Sequence, residues 1–296
     1  MVPRVVVCGD VINDVLVETR TELVAGADNP AAIRVRPGGS AANQAAWLAS
    51  LGVPVVFAGR AGAADADFHR RELAGRGAEV RLAADEAEPT GVIVVLIGAD
   101  GDRTMITDRG ANLRLRAEDV PPRLLDGAAL LHLTGYSFFD PRTRDVIMSL
   151  LDEARRGGVP FTIDPGSAAF LDTLEPGEFL DWTWGAAVCF PNLDEAAALT
   201  GATDPVVMSA SLARAYGAVV VKLGEDGALC ATADSAPVRV PARPAVVRDT
   251  TGAGDAFCAG FLAAWLNGAP PKAATEAAVT TAARAVATLG GRPAPQ

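Results

Sequence analysis

Short, fully apolar runs recur along this chain, and stretches with helical spacing separate them. Val5-Val6-Val7-Cys8 is the first run, and it breaks at Gly9-Asp10. Residues 55–58, 130–134, 161–164, 187–190 and 219–223 repeat it. A run that is apolar on consecutive residues has no polar side to show to water, so it predicts a strand covered on both faces. Helices are predicted over 40–51, 65–76, 142–156 and 195–200. This alternation restricts the chain to an α/β fold, a mainly parallel central sheet flanked by helices. Two Ala-rich helices, 254–266 and 271–288, follow, and the tail 290–295 reads as a loop. With 296 residues, half of them hydrophobic, the chain suffices for one large domain spanning 1–296.

Two segments break the alternation. Residues 15–36 hold two strand-like runs with no helix between them, and residues 90–107 hold two more around an Asp-Gly turn at 99–102. They predict a small antiparallel β lid, built from about 15–36 and 90–112. Edge strands of the main sheet satisfy the same pattern. Exposed strand edges tend to find partners, so the lid is also a candidate homodimer surface.

Charge and composition exclude several classes. The net charge is −10, which opposes binding to nucleic acid or to an anionic membrane surface. Cys8, Cys189, Cys230 and Cys258 form no CxxC pair and sit in apolar runs, as reduced core residues do. The two histidines are far apart, and His132 lies within an apolar strand, the setting of a core histidine. No run has the form of a signal peptide or a membrane span. A cytoplasmic protein is the expectation.

The strongest chemical motif is Asp249-Thr250-Thr251-Gly252-Ala253-Gly254-Asp255, a Gly-rich turn running into an apolar helix. The first turn of a helix leaves N–H groups unpaired at the positive end of its dipole, and glycines let an anion approach them. Asp255 beside such a site is placed to take a proton from a hydroxyl attacking a phosphate. An acid capping a helix explains the same residues equally well. A Rossmann dehydrogenase is disfavoured, because Gly9-Asp10-Val11-Ile12-Asn13 after the first strand is no Gly-rich loop.

Residues 249–257 resemble the C-terminal PfkB signature D-T-x-G-A-G-D-x-F, and Gly38-Gly39-Ser40-Ala41-Ala42-Asn43 resembles the N-terminal one. Both occur in order, and the resemblance runs from Gly9 to about Pro293. It implies a ribokinase-like fold with a β lid and an ATP-dependent kinase of a sugar or sugar-like molecule. By the same resemblance Asp255 is the catalytic base, and Gly252, Ala253 and Gly254 form the anion hole. Asp14, Gly38, Gly39 and Asn43 hold the acceptor, together with Arg109 from the lid. Asn192 and Glu195 match an N-x-x-E element that orders water around Mg²⁺ and the ATP phosphates. Magnesium keeps most of its waters, so one or two polar residues suffice. The same pair has the spacing of a helix capping box. Lys222, Gly224 and Gly227 resemble the nucleotide-side loop, whose pattern an ordinary hairpin turn shares. Asp249 and the Gly290 region resemble loops that bind a monovalent cation such as K⁺.

Ile12 stands where ribokinases carry Asn, which argues against free ribose. Tyr136 follows a core strand, and an aromatic there suits stacking on a base, so a nucleoside acceptor stays open beside a sugar. A non-catalytic ligand sensor on the same fold is the third alternative.

Overall fold

The computed structural model describes residues 4–19, 21–98, 103–175 and 177–294. The turn at 99–102 lies outside them. Among the described residues, thirteen strands form two sheets. In chain order they are β1 (Arg4–Cys8), β2 (Ile12–Thr19), β3 (Ala31–Gly38), β4 (Val55–Gly62), β5 (Glu79–Asp85), β6 (Thr90–Ile97) and β7 (Arg103–Gly110). β8 (Ala128–Thr134), β9 (Phe161–Asp164), β10 (Val188–Cys189), β11 (Ala218–Lys222), β12 (Ala228–Thr232) and β13 (Ser235–Val240) follow.

The large sheet has the order β13-β12-β11-β10-β9-β8-β1-β4-β5. Every pairing from β11 to β5 is parallel, and β12 and β13 close one end antiparallel. Helices cover both faces, as the unbroken apolar runs require. Val5 and Val7 point into one core with the helices Ser40–Ser50, Ala253–Leu266 and Pro271–Val286, while Val6 and Cys8 point into the other with the helix Pro141–Arg156. The last two helices pack closely, as their alanine content predicted. A Cβ on Gly260 would lie 2.4 Å from Thr281 Oγ1.

The second sheet has the order β3-β2-β6-β7 and stands apart from the first. The expected antiparallel pairs β2–β3 and β6–β7 are present, and a parallel pairing of β2 with β6 joins them. Because side chains alternate along a strand, Asp14 and Leu16 share one face with Ile93, Val95 and Met105. Val15, Val17, Ile33, Val35, Val94 and Ile106 share the other. The first of these faces looks onto the main sheet.

Candidate active site

Strand order reverses at β1, with β4 and β5 on one side and β8 to β11 on the other. Loops leaving the carboxyl ends of neighbouring strands diverge at such a point and open a crevice. β1 runs out into Asp10 and β8 into Tyr136, β9 ends at Asp164, β10 leads to Asn192, and β11 ends at Lys222. All five border the crevice, a cleft of about 380 Å³ under the lid.

Two helices aim their N-termini into it, and they are used differently. At the helix Ser40–Ser50, the Asp10 carboxylate accepts from the N–H groups of Ser40 (3.3 Å) and Ala41 (3.2 Å), so that positive end already holds an anion. The helix Ala253–Leu266 begins after Gly252, which is left-handed at φ 71°. Ala253 N–H donates to the Thr250 carbonyl at 3.2 Å, whereas those of Gly252 and Gly254 meet no acceptor among the described residues. Of the three anion-hole positions read from the sequence, Gly252 and Gly254 therefore hold the open donors.

Asp255 sits in the first turn of that helix and is buried. Its Oδ1 accepts from Ser40 Oγ (2.6 Å) and Gln44 Nε2 (3.2 Å), and its Oδ2 from Asn43 Nδ2 (2.9 Å). Two lone pairs per oxygen leave one open, on Oδ2. Burial pushes this carboxyl up to about 6; hydrogen bonds from Ser40 and Asn43 hold it down and the Asp164 charge raises it. A base of that strength is poised to act near neutral pH.

Asp14 stands on the lid's cleft face. Gly38 makes its room, since a Cβ there would fall 2.1 Å from an Asp14 oxygen, and Gly39, at φ 93°, lies against the Asp10 backbone. Burial pushes the Asp14 carboxyl up to about 7, against the charge of Arg292, and the nearby carboxylates add to the rise. Arg292, buried, donates to Asn43 Oδ1 (3.1 Å), Glu72 Oε2 (2.6 Å) and the Gly38 carbonyl (2.8 Å). It ties together Gly38, Asn43 and Glu72 beneath Asp14, a role that its place in a loop tail did not suggest.

Arg109 reaches from the lid to the far end of the cleft. Its guanidinium lies 4.5 Å from the Tyr136 ring centroid and 3.7 Å from Asp10. Tyr136 donates to the Gly166 carbonyl at 2.6 Å. The aromatic ring thus has a cation over one face and a bound hydroxyl at its tip. Ile12 is fully buried and offers the cleft no polar atom.

A second cleft, of about 690 Å³, lies on the other side of the helix Ala253–Leu266. Gly224, Gly227, Ala253, Phe257 and small residues of the last helix border it. Gly227 lies against the backbone after β13, for a Cβ there would be 2.1 Å from the Val240 carbonyl. The turn is that of the β11–β12 hairpin, so the ordinary hairpin turn that the sequence allowed is present here. The two clefts share Lys222, Thr250 and Gly254. Lys222 Nζ pairs with Asp164 Oδ1 at 3.0 Å and stands 3.5 Å from where a Cβ on Gly254 would be. Burial opposes its charge, but Asp164, Cys258 and Glu195 together raise its pKa above the ordinary lysine value.

Asn192 and Glu195 form the capping box. Glu195 Oε2 accepts from Asn192 N–H, its Oε1 from Asn192 Nδ2, and Asn192 Oδ1 from Glu195 N–H, each at 2.8 Å. Both residues border the cleft under the lid. Burial pushes the Glu195 carboxyl up to about 7, against the Lys222 charge. The described residues hold no cluster of three His, Cys, Asp or Glu able to bind a metal directly. This donor pair suits a hydrated Mg²⁺, gripped through its waters. Asp249 lies beneath the Gly-rich turn, its carboxylate accepting from Thr251 N–H and Gly290 N–H, both at 2.9 Å.

The sequence reading missed Asp164, Gln44 and Arg292. Asp164 had a readable signal, an acid ending an apolar strand, but its partner Lys222 lies 58 residues away. His132 is the buried core histidine that its strand predicted.

A family model described as "pfkB family carbohydrate kinase" matches residues 2–296. An ATP-dependent ribose-1-phosphate kinase of Halopiger xanaduensis is 34% identical, over 99% of this chain and 95% of that one. Among solved structures, adenosine kinase from Sinorhizobium meliloti superposes with a TM-score of 0.88 at 25% identity, over 99% of this chain and 97% of that one. Arabidopsis thaliana ribokinase, complexed with ribose and ATP, gives 0.82 at 30%, over 98% and 94%.

Proposed function

We propose, for a chain that belongs to the PfkB family of carbohydrate kinases and is therefore an ATP-dependent phosphotransferase, that the acceptor is a sugar with a polar or anionic group at the end remote from the reacting hydroxyl. Ribose 1-phosphate is the first compound to test. In this reading the acceptor lies in the cleft under the lid, with adjacent hydroxyls donating to Asp14. Its reacting primary hydroxyl faces Asp255, and Gly39 and Asn43 shape the floor. The γ-phosphate reaches the N–H groups of Gly252 and Gly254 from the second cleft, beside Lys222. As the hydroxyl attacks, Asp255 Oδ2 takes its proton, and the open donors stabilise the charge on the transferred group.

The observation that supports this most directly is the single open lone pair on Asp255 in the first cleft, next in the chain to Gly254, which borders both clefts. Mg²⁺ would be held through water by Asn192 and Glu195, where it neutralises phosphate charge. Asp249 and Gly290 would frame a K⁺ site. Arg109 over Tyr136 favours the anionic sugar, since it occupies the ring face on which a base would stack. The likeness to an adenosine kinase supports a nucleoside as the second reading.

No helix among the described residues is long and apolar enough to cross a membrane. Four buried, unpaired cysteines suit the reducing cytoplasm. The lid's outer face leaves Ile33, Val35 and Ile106 exposed, which supports a homodimer through that surface.

The test measures ADP release with ribose 1-phosphate, ribose, fructose, adenosine and inosine, for wild type and Asp255→Asn. The variant should lose about 1,000-fold in kcat while binding acceptor nearly normally by calorimetry. Near-wild-type turnover would sink the assignment of the base. A preference for a nucleoside would replace the acceptor.

A further inference from the structure

Behind Asp255, the buried side chain of Gln44 bridges two carboxylates. Its Nε2 lies 3.2 Å from Asp255 Oδ1, 3.2 Å from Asp164 Oδ2 and 3.1 Å from Ser40 Oγ. Its Oε1 meets His132 Nε2, and His132 Nδ1 meets Thr162 Oγ1 at 2.7 Å. Gln44, His132 and Thr162 are all fully buried.

One amide orientation satisfies this chain, its two N–H groups given to the two carboxylates, with Ser40 Oγ, whose own hydrogen goes to Asp255 Oδ1, a shared third neighbour. Asp164 and Asp255 accept and cannot donate when ionised, so the amide NH₂ of Gln44 must face them. Its oxygen then faces His132, whose Nε2 must hold the proton. His132 Nδ1 is left as an acceptor, and Thr162 supplies the hydrogen. Burial pushes the imidazole down to about 4 and keeps it neutral, so one ring nitrogen alone carries a proton. A flipped amide would aim its oxygen at two carboxylates and leave His132 Nε2–H facing an NH₂ group.

We infer that Gln44, locked in one orientation by His132, is a positioning residue for phosphoryl transfer: it occupies the last lone pair of Asp255 Oδ1 and so directs the acceptor hydroxyl to Oδ2. This rests on the reading of Asp255 as the base. The other charged or titratable groups facing Asp255 are Asp164 from β9, Asp14 from the lid and Cys258 on its own helix, with Lys222 beyond Asp164. Gln44 holds Asp255 and Asp164 apart with a neutral donor, where a cation would bind both and lower the base strength needed for turnover.

The test compares kcat and acceptor KM from pH 5 to 9 for wild type, Asp255→Asn, Gln44→Met, His132→Leu and His132→Gln, with thermal melts to confirm folding. Gln44→Met should lose about 10-fold in kcat, the equivalent of one hydrogen bond to a charged group, and its acid limb should move up by about one pH unit. Its acceptor KM should stay within about 2-fold, as for an interaction used in the transition state. His132→Leu should follow it, and His132→Gln should recover most activity, because an amide N–H still donates to Gln44. A folded Gln44→Met with wild-type kcat and acid limb overturns the inference. If Gln44→Met does not fold, equal activity of folded His132→Leu and wild type overturns it instead. A dead Asp255→Asn beside an unaffected Gln44→Met rejects this inference alone, while an active Asp255→Asn rejects the base and the inference together.

Discussion

Gly252 and Gly291 lie so close that a Cβ on Gly252 would stand 2.5 Å from the Gly291 Cα. Gly291 in turn abuts the Asn43 amide and accepts from Trp47 Nε1 at 3.0 Å. The Gly-rich turn and the C-terminal loop therefore meet backbone to backbone, and the helix Ser40–Ser50 reaches that loop through Asn43 and Trp47. Gly252→Ala would combine a left-handed alanine with a backbone clash. We expect a loss of at least about 1 kcal/mol in stability and a near-complete loss of turnover, read from melting and ADP release. An active, equally stable variant would show that the turn has more room than its packing implies.

Asp14→Asn separates binding from stability. The folded pKa of Asp14 is raised to about 7, above its unfolded value near 3.8. At pH 8 the carboxylate is charged in both states and bears its full burial penalty. As pH falls through 7 the folded state takes up the proton first, and the penalty fades. Asparagine should therefore raise the melting temperature at pH 8 by a few degrees, with the gain vanishing toward pH 4, while acceptor KM rises steeply. A gain of the same size at both pH values would contradict the assigned cause.

Glu195→Gln tests whether the capping box is also a magnesium element. Glutamine keeps the reciprocal pair of the box, its side-chain oxygen accepting from Asn192 N–H, but its NH₂ cannot accept from Asn192 Nδ2. That loss and the relief of a buried charge oppose each other, so melting at pH 8 should shift by no more than a few degrees. The Mg²⁺ concentration for half-maximal activity should rise by about 10-fold, because the charge on the hydrated ion's partner is gone. An unchanged Mg²⁺ dependence would confine Glu195 to capping.

Val35→Lys places a charge in the middle of the lid's outer apolar face, opposite Val15. Light scattering should give a dimer for wild type and a monomer for the variant. A wild-type monomer at micromolar concentration would remove the dimer.

The fold was legible wherever one local rule decided it. β1, β8 and β9 are apolar on successive residues because both faces are covered, and that pattern is visible in the sequence alone. β5 and β13 were not read: as edge strands they are mostly exposed or half-buried, with only Leu82 and Asp85 buried in one and Val240 in the other, so neither shows a strand's two-residue period. In the site, Gly252, Gly254 and Asp255 were readable because glycine and acid at a helix start have a local physical meaning. Gln44 was hidden by its neighbours, since a polar residue in the first turns of an Ala-rich helix usually faces water. Only folding across 211 residues sets it against Asp255. Asn192 and Glu195 could not be assigned to cap or cation from spacing, and the structure retains the cap while placing both at the cleft.

Arg292 donates to the Gly38 carbonyl across 254 residues of chain. The cation beneath the Gly38 loop is thus made long after the loop that it secures. Until it docks, Asp14 lacks the positive charge that tempers its burial, and Asn43 lacks the partner that holds its amide toward Asp255. Contacts this distant in sequence form late and slowly. All strands of the large sheet precede Arg292 in the chain, so the sheet can form while the pocket around Asp14 and Asn43 still waits for its cation.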